Sequence, residues 1–149
     1  MDVPFEDVLL IALNGAFLLI LSIQDLKHRT ISLIPVILLG IVNAGLCVAT
    51  GRGLKDVILG VIPGVFAIML SLGTRGKLGL GDGLVLLVSG LVFDWNRVLS
   101  VWLLALVLSA LFGLVLILMK KASIKTALPF VPFLFTGFAA LEIAERVKI

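Results

Sequence analysis

The sequence predicts an all-α integral membrane protein, a bundle of six transmembrane helices with its N-terminus outside. Three observations carry that prediction. Of 149 residues, 61% are apolar and 14% charged, with a mean hydropathy of +1.28, whereas a soluble domain is about 45–50% apolar and about 25% charged. The apolar residues fall in runs comparable to the roughly 20 residues that cross about 30 Å of hydrocarbon. The connections between runs are a few residues each and hold the cations. So much hydrocarbon does not fit the water-soluble core of a chain this size. That excludes a soluble enzyme, a disordered tail and a secreted disulfide scaffold.

The spans read in order as about 8–24, 31–50, 54–73, 83–95, 98–119 and 127–144. In lipid each must be helical, because no water satisfies the backbone. The whole of 1–149 is then one polytopic membrane domain, with neighbouring helices antiparallel. The first run is expected to be retained as a span. Asp2, Glu6 and Asp7 precede it, where a secretory signal would carry positive charge. The segment 83–95 is the shortest, and its length also fits a re-entrant loop. Gly60 and Gly64 share a helical face and allow close helix contact. Asn14 and Asn43 lie inside spans and should hydrogen-bond between helices. Cys47 reads as a small packing residue and Pro63 as a bend.

Orientation follows from Lys and Arg at the helix ends. With the N-terminus outside, seven of the twelve cations fall on the inner side: Lys27, Arg29, Arg75, Lys77, Lys120, Lys121 and Lys125. Arg52, Lys55, Arg97, Arg146 and Lys148 fall outside. The net charge of +3 therefore reports orientation rather than a nucleic-acid partner, and none is expected. One cysteine and one histidine provide no zinc cluster, so no metal or cofactor is expected either.

Two acids stand apart from the rest. Asp2, Glu6, Asp7, Asp56, Asp94, Glu142 and Glu145 read as solvated or headgroup-level charge. Asp25 instead ends the first apolar run, and Asp82 stands in Gly79-Leu80-Gly81-Asp82-Gly83. Two strong spans separate them, so the chain returns to the side it left and both carboxylates meet one membrane face. Such a pair in a poorly hydrated place does not ionise twice with ease and tends to share a proton. An aspartic protease needs that state: one carboxylate takes a proton from water and the other polarises the scissile carbonyl. Gly79, Gly81 and Gly83 let the backbone turn sharply and approach an extended peptide. The same glycines also fit a plain tight turn with an Asp cap. Two further classes remain compatible with the acids. One is a non-catalytic integral membrane protein. The other is a small proton- or cation-coupled transporter.

These residues resemble the GxGD intramembrane aspartyl proteases, and within them the type IV prepilin peptidases and archaeal preflagellin peptidases. Three features match in order: Asp25 followed by Lys27, Arg29 and Ile31; Gly79-Leu80-Gly81-Asp82; and Leu128-Pro129-Phe130-Val131-Pro132-Phe133 opening the last helix, with Gly137 after it. Ser32 stands where such enzymes have proline, and no lysine follows the GxGD motif at once. The resemblance implies Asp25 and Asp82 as the catalytic pair. Pro129, Phe130 and Pro132 would either shape the cavity beside it or touch the peptide. It also implies peptidase chemistry alone, since the larger enzymes' paired cysteines have no counterpart around Cys47. The implied partners are the lipid bilayer and prepilin-like precursors with a basic leader, a glycine before the cut and an apolar helix. Cleavage would occur at the cytoplasmic face of the cell membrane. Lys27, Arg29, Arg75 and Lys77 would repel a basic leader and are expected on lipid phosphate. His28 reads as interfacial.

Overall fold

The structure, a computed structural model, describes residues 5–28, 32–74, 79–121 and 128–147. Among them are six helices and no strand: α1 (Phe5–His28), α2 (Leu33–Ala49), α3 (Leu54–Gly73), α4 (Leu80–Ser89), α5 (Trp95–Leu118) and α6 (Val131–Val147). Three stretches are long and apolar enough to cross a membrane: Val8–His28 within α1, α3, and α5. Large apolar side chains cover the outer surface. Ile34, Ile37 and Ile41 of α2, and Leu103, Val107 and Leu111 of α5, are all more than half exposed. In water such a surface would be an aggregation site, whereas in lipid it is the expected exterior.

The interior is held by contact rather than by bulk. Lipid removes the hydrophobic drive between helices, so close packing and interhelical hydrogen bonds must do the joining. α4 makes its most extensive contact with α3, and glycines permit it. A Cβ on Gly60 would overlap the backbone of Gly90, and one on Gly64 the backbone of Leu87. Gly83 answers from the other side, where a Cβ would come within 2.9 Å of the Ile68 amide nitrogen. α4 thus runs antiparallel to α3, with Gly83 opposite Ile68, Leu87 opposite Gly64 and Gly90 opposite Gly60. Asp94 then reaches Arg52, just before α3, in a 2.9 Å ion pair.

The fourth segment differs from the reading of 83–95 as one span. Its helix starts earlier, at Leu80, and stops at Ser89. Ten residues rise only about 15 Å. A turn follows it, in which the amides of Val92 and Phe93 both donate to the Ser89 carbonyl. Val92 and Phe93 are buried, so this turn is as apolar as a helix and hydropathy alone extends the span through it.

A short buried helix leaves carbonyls without partners at its end. Asn43 supplies one donor, with Nδ2 donating to the Val88 carbonyl at 2.9 Å. Its second N–H goes to Asn14 Oδ1 at 3.0 Å. Asn14 Nδ2 donates back to Asn43 Oδ1 at 3.2 Å and to the Leu10 carbonyl at 3.0 Å. All four amide N–H donors of the two buried asparagines are thereby used, and α1, α2 and α4 are tied together at mid-depth. The interhelical role expected for both residues is met.

Candidate functional site

α6 opens without a capping side chain of its own. The residues before it are Leu128, Pro129 and Phe130, and none carries the oxygen that usually satisfies a first-turn amide. The acceptor comes instead from α1. The Val131 amide donates to Asp25 Oδ2 at 3.1 Å. Pro132 has no N–H to satisfy, and the amides of Phe133 and Leu134 donate to the Phe130 carbonyl. The first turn of α6 is fully accounted for, and Asp25 is its cap. Asp25 is 5% exposed, with the Phe130 backbone beside it. The positive end of the α6 dipole faces its carboxylate.

Asp82 comes to the same end of the bundle in the first turn of α4. Its amide donates to the Gly79 carbonyl at 3.2 Å, and its carboxylate folds back over Gly79. A Cβ on Gly79 would stand 2.6 Å from Asp82 Oδ2. The charge of Asp25 bears on Asp82 across this end of the bundle. One end of the bundle therefore gathers Asp25 from α1, Asp82 from α4 and the Phe130–Val131 backbone leading into α6.

The glycines serve this place differently from the sequence expectation. Gly79 caps α4 with φ −63° and ψ 122°, a conformation open to any residue, so its missing side chain makes room for the Asp82 carboxylate rather than for a sharp turn. Gly83 is pressed against Ile68 and packs α4 on α3. Gly81 is half-buried between them. Pro129, Phe130 and Pro132 are half-buried at the start of α6. Phe133 beside them holds α6 to α5 through a ring contact with Phe112, centroids 5.5 Å apart. Lys27 and His28 are exposed at the end of α1. Ile31, Arg29, Arg75, Lys77, Lys125, Lys148 and Asp2 lie outside the described residues, as do the side chains of Glu6 and Asp7.

One acid contradicts its sequence reading. Glu142, expected as solvated or headgroup-level charge, is not solvated: it is 7% exposed. It faces Arg97, whose Nε is 3.6 Å from Glu142 Oε1 and whose Nη2 binds Glu145. Arg97 draws it inward from α5, 45 positions away in sequence, and no periodicity within α6 marks that. Nor does the sequence reading include Asp25 as the cap of another helix, although a helix opening on Pro-Phe-Val-Pro-Phe with no capping residue is a usable signal for it. Among the described residues no three His, Cys, Asp or Glu side chains gather to hold a metal ion.

A model of the type IV leader peptidase family matches residues 12–118. The chain belongs to that family. The match covers Asp25 and Asp82 and stops before α6, whose first amide Asp25 holds. Membership implies a protease of the prepilin leader peptidase type, and the three long apolar helices are suited to membrane insertion. No curated protein and no solved structure matches the chain.

Proposed function

We propose that this leader peptidase is an aspartic-type endopeptidase that uses Asp25 and Asp82 together, at the cytoplasmic face of the cell membrane. The placement of the two carboxylates at one end of the bundle, Asp25 at the start of α6 and Asp82 in the first turn of α4, carries this reading. With one proton shared between them, the ionised carboxylate takes a proton from water as the water oxygen attacks the scissile carbonyl carbon. The protonated carboxyl gives its proton to the carbonyl oxygen, forming a neutral gem-diol. Collapse returns that proton, the leaving nitrogen takes the one held by the first carboxylate, and the C–N bond breaks.

The surroundings support the rest of the reading. The Asp25–Val131, Asp94–Arg52 and Arg97–Glu145 contacts fit helices that alternate between an end near Asp25 and an end near Arg52 and Arg97. That alternation favours six crossings of a single polytopic domain over 1–149, with α4 and its turn forming one of them. Lys27, Lys120 and Lys121 fall on the Asp25 side, which favours the cytoplasm there and the N-terminus outside. A precursor's apolar helix would lie in the bilayer against the exposed apolar surface, its basic leader in the cytoplasm. The bare backbone at Gly79 and Gly81, and the segment of Pro129, Phe130 and Pro132, would shape the cleft for the peptide.

The cap on α6 favours a second reading, in which Asp25 is structural and the chain is a non-catalytic relative. Co-expression with a tagged precursor bearing a glycine-ended basic leader separates the two. Loss of the leader mass with the wild-type chain, and its retention with Asp82→Asn, is the expected result. An intact precursor with the wild-type chain, across pilin, pseudopilin and archaellin leaders, contradicts the peptidase reading.

A further inference from the structure

At the end of the bundle away from Asp25 and Asp82 a cavity of about 710 Å³ opens between α1, the end of α2, the α4–α5 turn, α5 and α6. Its charged lining alternates in sign. Arg52, Arg97 and Arg146 face Asp94, Glu142 and Glu145, and Asp56 stands at the same wall. Neither an anion nor a cation alone would be favoured by such a wall. Two buried polar atoms in it are unsatisfied: Arg52 Nε, a donor, and Glu142 Oε1, an acceptor. The Glu142 side chain is only 9% exposed, and its 3.6 Å approach to Arg97 is too long for a hydrogen bond. Leaving both unmade is costly. Leu10, Ile11 and Phe93 complete the wall with apolar surface.

A ligand that matches has an anionic acceptor, an ammonium donor a short distance away, and an apolar continuation. The volume is too large for a bare ion. We infer that this cavity is a binding site for a phosphoethanolamine group, with phosphate toward Arg52 and ammonium toward Glu142. The opening lies at the helix ends, at headgroup depth, so a phosphatidylethanolamine headgroup and free phosphoethanolamine share the required chemistry. The inference stands on the cavity and is independent of the peptidase reading.

The full chain in delipidated detergent micelles, titrated with phosphatidylethanolamine, phosphatidylcholine, phosphatidylglycerol or soluble O-phosphoethanolamine, tests it. Phosphatidylethanolamine should raise the unfolding midpoint by about 5 °C at saturation. Phosphatidylcholine, which lacks N–H donors, and phosphatidylglycerol, which lacks the ammonium, should not. A shift with the soluble compound as well assigns the free group, and a shift with the lipid alone assigns the headgroup. Glu142→Gln and Arg52→Gln should each remove the shift. If Glu142→Gln does not fold, Glu145→Gln at the exposed rim and native mass spectrometry of lipids retained by the wild type carry the decision. Equal shifts, no shift or equal retention for all three lipids would overturn the site, as would an undiminished shift in the folded variants, since the lipid then acts elsewhere.

Discussion

The Val131 amide and the Asp25 carboxylate are joined at 3.1 Å, so the first turn of α6 is closed by a residue 106 positions earlier. The cap and the proposed catalytic role of Asp25 are separable by substitution. Asparagine caps a helix about as well as aspartate. Asp25→Asn should keep the wild-type unfolding midpoint, whereas Asp25→Ala should lose about 1 kcal/mol, and toward 2 because the amide is buried. Unfolding in mixed micelles checks this. Equal stability of the Asn and Ala variants would show that the cap contributes nothing.

Gly64 and Gly45 make a matched pair on consecutive helices. A methyl on Gly64 overlaps the Leu87 backbone, while one on Gly45 meets nothing within 4 Å. Gly64→Ala should destabilise by about 2 kcal/mol or more, because neither backbone can give. Gly45→Ala should be neutral or stabilise by up to about 1 kcal/mol, from helix propensity alone. The same micelle assay reads both, and comparable losses would mean that α3–α4 contact is looser than described.

Asn14 and Asn43 should behave as one unit. Asn43→Leu strands the Val88 carbonyl and removes two of Asn14's three side-chain hydrogen bonds, at a cost of about 1 kcal/mol or more. Asn14→Leu strands Asn43 in turn. In a double-mutant cycle the paired change should cost less than the sum of the singles by about 0.5 kcal/mol or more. Strict additivity would deny the reciprocal pair.

Much of this site is legible in the amino-acid sequence. The two apolar runs between Asp25 and Asp82 bring the chain back to the end it left, and that parity needs no side-chain detail. Asn14 and Asn43 stand out because an amide inside a span requires a partner. Less legible are features set by residues distant in sequence. The apolar turn at Val92 and Phe93 reads as helix because burial, not helicity, sets its hydropathy. Glu142 reads as surface because Arg97 comes from another helix. Gly79 and Gly83 do read as close-approach positions, but what approaches them is Asp82 and Ile68, which spacing cannot tell.

Cleavage should be bell-shaped in pH. At low pH both carboxyls are protonated and none is left to take a proton from water. At high pH both are ionised, and none polarises the carbonyl. The limbs belong to the pair, so Asp82→Asn should abolish activity rather than move one limb. The pH profile of kcat/KM on a precursor peptide checks the shape, and a single rising limb would remove the shared proton from the mechanism.

The most direct measurement is the cleavage rate of purified, folded Asp25→Asn, Asp82→Asn and the double variant on one precursor. The account predicts that each single change lowers the rate by about a thousandfold or more and that the double change lowers it no further, as for groups acting as a unit. Wild-type cleavage by either single variant would contradict it.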